Sequence, residues 1–139
     1  MNCDYERTLS DGRAGFPAFL EAIESYLEGA GLPIDVVTKV MIVFDELGSN
    51  ILDHGSADGI PSITTRLNVR KDALEVELSD TGIPFDPLSL PAPDTSLSVE
   101  DRPVGGLGIH IVRELMDRVE YNREGALNTI RFAKKFSLD

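Results

Sequence analysis

Hydrophobic residues recur at helical spacing in three segments of the chain. The first runs from Gly12 to Gly31, and the second begins after Pro33 and continues to about Asp53. Both place apolar side chains three and four residues apart, which predicts amphipathic helices with one buried face. A third such segment follows the glycine-rich run at 105–108 and extends to about Asp117. The pattern therefore predicts three helices.

Alternation of apolar and polar residues predicts five strands. A short polar turn, Arg70-Lys71-Asp72, joins two of them and indicates an antiparallel hairpin. Because the helices and strands are grouped instead of alternating, we expect a two-layer α/β sandwich, with helices covering one face of a mixed, mostly antiparallel sheet. The predicted strands are Asp4–Leu9, Ser62–Val69, Ala73–Ser79, Arg118–Asn122 and Asn128–Phe136.

Periodicity is lost between Thr81 and Pro103. Five prolines in this stretch exclude a helix or a central strand. A connection of about 20 residues without regular structure is uncommon in a compact domain and is typical of a binding loop or lid. We therefore expect a lid over about residues 86–104.

Length and charge narrow the classes of function. A chain of 139 residues is predicted to form one domain, residues 1–139. Its net charge of −11 argues against nucleic acid and against an anionic membrane surface as partners. Cys3, the single cysteine, has no partner for an internal disulfide, and we expect a cytoplasmic protein without a membrane span.

Two polar side chains lie one turn apart on the second predicted helix. Glu46 and Asn50 are four residues apart, so both address the same side of the helix. A carboxylate and a carboxamide suit a magnesium ion that keeps most of its waters and bridges to phosphate. A solvated polar stripe is the alternative interpretation. Gly48, between them, indicates close approach of a ligand, of backbone or of a packed side chain.

Asp80 ends the predicted strand LEVELSD and is followed by Thr81 and Gly82. An acid at this position commonly accepts hydrogen bonds from its own turn. A buried carboxylate here is also suited to accept the exocyclic amine of a purine, with Gly82 leaving room for the base. Thr129, on the last strand, is a second candidate contact for that base, although a β-branched residue in a strand also has an ordinary structural explanation.

The run VGGLGIHI contains three glycines directly before a helical pattern. Backbone N–H groups at such a helix start form a site for an anion, phosphate included. The run has neither the Lys-Ser/Thr ending of a P-loop nor a preceding strand, so neither common phosphate motif applies. A turn that lets the helix pack closely is the alternative.

Three motifs together resemble the GHKL ATPase superfamily. They are Glu46-x-x-x-Asn50, Asp80-Thr-Gly82 and Gly105-Gly-Leu-Gly108, which match its N, G1 and G2 boxes in order and spacing. The phrases DTGIPFDP, GGLGIHIVRELMDRVEY and EGALNTIRFAKKF look like the anti-sigma-factor serine kinases of the RsbW and SpoIIAB type. The resemblance covers nearly the whole chain and implies the Bergerat (GHKL) ATPase fold.

By this resemblance the chain binds ATP and Mg²⁺. Glu46 is implied as general base, Asn50 as magnesium ligand, Asp80 as adenine acceptor and Gly82 as the glycine beside the base. The resemblance places the phosphates on Gly105, Gly106, Leu107 and Gly108.

The implied activity is phosphorylation of a serine on an anti-sigma-factor antagonist of the STAS type, with binding of a sigma factor when that antagonist is absent. A homodimer is also implied. Arg102 is the nearest cation for the terminal phosphate, or an exposed lid charge. Two alternatives stay open: a nucleotide-responsive binding module with negligible kinase activity, and a detached histidine-kinase-like ATPase domain.

Overall fold

In the computed structural model, three helices lie against one five-stranded sheet. The structure describes residues 3–54, 59–84, 86 and 106–137, with the backbone alone at 106–109. The predicted lid falls outside these ranges except for Asp86. The elements are β1 Tyr5–Leu9, α1 Phe16–Gly29, α2 Ile34–His54, β2 Ile63–Val69, β3 Ala73–Asp80, α3 Gly106–Leu115, β4 Arg118–Glu124 and β5 Leu127–Lys135.

The strands are ordered β1-β2-β3-β5-β4, and all four pairings are antiparallel. The sheet is therefore antiparallel throughout, whereas the sequence predicted a mixed, mostly antiparallel one. β5 returns from β4 and pairs between it and β3, so β3 and β4 run in the same direction. α3 lies on the connection between those two strands.

The core lies between the helices and one sheet face. On α1, Phe16, Phe19, Ile23 and Leu27 are buried at helical spacing, as the pattern predicted. On the sheet, alternate residues of β2, β3 and β5 are buried against them. An edge-on contact between Phe44 of α2 and Phe132 of β5, with ring centroids 5.6 Å apart, joins the two layers. Complete burial of such a side chain stabilises the fold by about 1.5–3 kcal/mol.

Helix ends follow local chemistry. α1 begins after a 3-10 turn at Gly12–Ala14, with Pro17 in its first turn, and so starts four residues later than the pattern indicated. It ends at Gly29, and Gly31, two residues later, has the left-handed backbone conformation with φ 82°. No helix among the described residues is long and apolar enough to span a membrane.

Candidate functional site

One half of the candidate site lies on α2. Glu46 is partly exposed, whereas Asn50, one turn later, is only 8% exposed. The Asn50 Nδ2 atom is fully buried and receives no hydrogen-bond partner from the part of the chain that the structure describes. An unpaired buried amide costs about 1–3 kcal/mol, which a bound ligand can offset. The free Nδ2 group is a donor, so it fits a phosphate or water oxygen, whereas a magnesium ion would be held by the Oδ1 atom of the same amide.

Glu46 has the electrostatics of a proton acceptor. Burial raises the pKa of its carboxyl above the ordinary value, and the negative charge of the neighbouring Asp45 raises it further. A carboxylate with a raised pKa holds a transferred proton more readily than an ordinary surface glutamate.

Gly48 is explained by packing. A Cβ built on Gly48 would lie 2.5 Å from Cε1 and 2.6 Å from Cζ of the Phe16 ring. Phe16 is itself buried, so a shift of its ring would disturb the core around it. The glycine lets α1 approach α2 at the helical turn that carries Glu46 and Asn50. Of the sequence-based explanations for Gly48, the structure supports the packed side chain.

The second half of the site lies at one end of the sheet. Asp80 is the last residue of β3 and is 4% exposed. Its Oδ1 accepts the Gly82 N–H at 2.9 Å and the Asn128 Nδ2 at 3.0 Å. Asp80 is thus both the turn-forming acid and the buried carboxylate that the sequence offered as alternatives.

Opposing effects act on the ionisation of Asp80. Burial raises the pKa of its carboxyl above the ordinary value; the Asn128 bond, the Gly82 N–H and the Arg123 charge lower it, without cancelling the rise. The Arg123 Nη1 also donates to the Gly82 carbonyl oxygen at 3.0 Å, which holds the backbone that follows β3. This end of the sheet therefore has a fixed loop beside a buried acid.

Three residues of this cluster were missed by sequence reasoning: Tyr121, Arg123 and Asn128. Tyr121 and Arg123 come from β4, and Asn128 comes from β5. Asn128 pairs directly with Asp80, and Arg123 pairs with Asn128 on its other side. The signal that could have found Asn128 is its place in the alternation with Ile130 and Phe132, which puts it on the core-facing side.

Thr129 does not join this cluster. It pairs with Ser79, and its hydroxyl lies 3.3 Å from the Ser79 hydroxyl. Since neighbouring residues of a strand face opposite sides, Thr129 faces away from Asp80. The residue paired with the acid is Asn128, and the contact of Thr129 with the base stays a prediction.

The glycine run leads into α3 as expected. The helix begins at Gly106, so Gly106, Leu107 and Gly108 form its first turn, and Gly105 lies outside the described residues. Among the described residues, no hydrogen bond joins Asn50 of the helical layer to the Asp80 cluster of the sheet. A ligand that used both groups would have to bridge the two layers.

The sequence comparisons agree with this geometry. A family model described as the histidine kinase-like ATPase domain matches residues 14–134. The chain is 27% identical over 104 residues to the serine-protein kinase RsbW of Bacillus cereus (strain G9842) and 25% identical over the same length to that of Bacillus mycoides (strain KBAB4). Each match covers 72% of this chain and 65% of the relative, slightly under two thirds of its length.

A structural relative shows the same fold. The histidine kinase domain of a blue-light activated histidine kinase from Erythrobacter litoralis superposes with a TM-score of 0.54. It is 20% identical in sequence, and the match covers 86% of this chain and 60% of that one.

Proposed function

The chain belongs to the histidine kinase-like ATPase family, and we propose that it is a serine protein kinase that uses Mg²⁺-bound ATP. Its proposed substrate is a serine on an anti-sigma-factor antagonist domain of the STAS type. The observation that carries the proposal is the α2 pair, in which the buried, unpaired Asn50 amide lies one turn from Glu46.

Each half of the site would bind a different part of ATP. Asp80 would accept the adenine amine, and the backbone at Gly82 would lie beside the base. Asn50 would hold the magnesium ion, and the first turn of α3, Gly106–Gly108 with the preceding Gly105, would bind phosphate through its N–H groups. When bound, magnesium would neutralise phosphate charge and align the phosphates.

Glu46 would act on the substrate hydroxyl. As the serine oxygen bonds to the γ-phosphorus, the bond from that phosphorus to the leaving oxygen of ADP breaks, and the hydroxyl proton passes to the Glu46 carboxylate. Phosphoryl transfer depends mainly on position and charge neutralisation. A base, a metal-binding amide and a helix start are sufficient groups for it.

The proposed partners are the antagonist domain and a sigma factor, bound alternately by partner switching. The similarity to two RsbW proteins, which are named serine-protein kinases, supports a serine of a protein as the phosphate acceptor. We also propose a homodimer in the cytoplasm, with residues 1–139 as one domain. Residues 86–104 are proposed as its lid.

The first test identifies the residue that acquires phosphate. The protein is incubated with labelled ATP, magnesium and candidate antagonist domains from its own genome. Acid-stable phosphoserine on one of them is expected. Acid-labile phosphohistidine would instead favour the histidine-kinase-like alternative, and binding without transfer would favour the regulatory module.

The second test separates binding from transfer. Glu46→Ala should keep ATP affinity and lose transfer by roughly 100- to 10,000-fold, the usual contribution of a positioned base. Asn50→Ala should weaken both, and because it removes a buried nitrogen that has no hydrogen-bond partner, it should cost the free protein less stability than the loss of a paired buried amide. Glu24→Gln, exposed on α1, is the control and should change neither quantity. Full transfer by Glu46→Ala would remove Glu46 from the role of base.

A further inference from the structure

A chain of side-chain hydrogen bonds leads from β4 to the buried acid. The Tyr121 hydroxyl donates to Asn128 Oδ1 at 2.6 Å, and Asn128 Nδ2 donates to Asp80 Oδ1 at 3.0 Å. The same Nδ2 donates to the Ile83 carbonyl oxygen at 2.8 Å. One amide thus connects two strands and the loop after β3.

The chemistry of the neighbours fixes the orientation of this amide. An ionised carboxylate and a backbone carbonyl can only accept, so the NH₂ group of Asn128 must face Asp80 and Ile83. Its oxygen therefore faces Tyr121, and the tyrosine must donate. The hydrogen bonds therefore all point the same way, from Tyr121 through Asn128 to Asp80. We call this chain of hydrogen bonds the relay.

The relay leaves the two carboxylate oxygens of Asp80 unequal. Oδ1 takes both donors, the Gly82 N–H and Asn128 Nδ2. Within the described residues, no hydrogen bond reaches Oδ2. A carboxylate held in this way presents one oxygen to a ligand in a fixed direction.

We propose that Asn128, oriented by Tyr121, is a positioning residue that aims Asp80 Oδ2 at the amino group of a purine and so sets the preference for adenine. The inference rests on the proposed nucleotide site and names how its base is selected. An adenine amine donates to Oδ2, whereas the oxygen at the same position of guanine would face it as a second acceptor. A base with no group there leaves the carboxylate unpaired, which is how a polar site rejects a close analogue.

The test compares nucleotides that differ only at this position of the base. Calorimetry measures the dissociation constants of ATP and of purine riboside triphosphate, which lacks the amine, for the wild type, Tyr121→Phe and Asn128→Ala. ATP binding by both variants should weaken roughly 10-fold or more, the scale of one hydrogen bond to a charged group, while binding of the analogue stays nearly constant. The ratio of the two affinities should therefore collapse.

Tyr121→Phe keeps the ring and removes only the hydroxyl, so it tests the relay even if Asn128→Ala fails to fold. Asn122→Ala is the matched control, because Asn122 is exposed on β4 and bonds only Glu124 among the contacts described. It should leave the ratio unchanged. An unchanged ratio in Tyr121→Phe would overturn the inference. It would result from an equal loss for both nucleotides, which shows a purely structural role, or from no loss for either. Absence of nucleotide binding by the wild type would instead overturn the proposed function.

Discussion

At the scale of single residues, Asp80 combines a cost in stability with a proposed gain in binding. Its pKa in the folded chain lies above the ordinary value because of burial, so the ionised carboxylate opposes folding. The opposition is fully present above the folded-state pKa and is relieved as the pH falls through that value. Stability that depends on Asp80 therefore rises toward acid pH.

Asp80→Asn should separate these effects. Asparagine does not ionise, and its oxygen can still accept from Gly82 and Asn128, so the melting temperature at neutral pH should equal or exceed that of the wild type, with a flatter acid dependence. Affinity for ATP should fall by about 1.5–3 kcal/mol, roughly 10- to 150-fold, because an NH₂ group replaces the acceptor. Melting curves across pH and calorimetry check this, with the exposed Asp72→Asn as control. A less stable variant with undiminished affinity would remove Asp80 from the adenine role.

Asp45 influences the ionisation of Glu46, the proposed base. Its charge contributes to the raised pKa of Glu46. A base must be deprotonated to act, so Asp45→Asn should lower that pKa and move the acid limb of the pH–rate profile to lower pH. The measurement is the profile of phosphotransfer, with Glu24→Gln as control. A limb that moves to higher pH would contradict the assignment of Glu46.

Gly48 offers a stability test. Gly48→Ala gains about 1 kcal/mol of helix propensity but forces a methyl group against the buried Phe16 ring, and overpacking of this kind costs about 1–3 kcal/mol. We expect a lower free energy of unfolding in urea. Phe16→Leu in the same chain should recover part of the loss, because it removes the ring atoms nearest to the new methyl group. A more stable Gly48→Ala single variant would show that α1 can move away.

At the scale of elements, the open face of the sheet carries a row of alternating charge. Glu6, Arg66, Glu77, Arg131 and Glu120 lie side by side on β1, β2, β3, β5 and β4. Glu77 bonds Arg66 at 3.2 Å and Arg131 at 3.1 Å. Opposite charges placed directly across neighbouring strands stabilise this register, because a slip of one residue would move the row to the apolar face.

Glu77→Gln should therefore cost about 1–2 kcal/mol, more than the 0.2–1 kcal/mol of an exposed pair, since it removes the charge that Arg66 and Arg131, on the two strands that flank β3, share. Glu75→Gln on the same strand is the matched control, because its pair with Arg70 is largely exposed. Urea unfolding at low and high salt measures both. Equal effects of the two substitutions would show that the row adds nothing beyond ordinary surface pairs.

The helices and strands could be predicted from the sequence because their periodicity is local. The order of the strands could not, since β5 pairs with β3 across an intervening helix and strand. The same limit explains the site. Glu46 and Asn50 were identified from their spacing on one helix, and Asp80 from its place at a strand end before Gly82. The Asn128 contact to Asp80, in contrast, joins residues 48 positions apart. Asn128 is the first residue of the predicted last strand. Whether Asn128 or Thr129 pairs with Asp80 depends on the register of β5 against β3, which the local pattern does not determine.

At the scale of the whole molecule, the candidate site needs both layers. The sheet end supplies the buried acid with its hydrogen-bonded neighbours, and α2 supplies Glu46, the proposed base, and the Asn50 amide. Both lie in a chain with 24 acidic and 13 basic residues. A site proposed for an anion is therefore built on a strongly anionic protein. Within the described residues, the first turn of α3 and Arg123, together with a bound magnesium ion, would have to offset this repulsion.

The opposition between the net negative charge and the positive groups at the site gives a prediction about the rate at which nucleotide associates. Net charges of the same sign slow the encounter of two molecules at low ionic strength. The Debye length, over which charges are felt, is about 30 Å at 0.01 M salt and about 10 Å at 0.1 M, so added salt weakens the repulsion. The association rate of Mg²⁺-bound ATP, measured by stopped flow, should rise severalfold over this range. Neutral adenosine is the control and should show almost no salt dependence. If the rate for ATP falls with salt instead, the positive groups at the site govern the encounter, and the net charge of −11 does not.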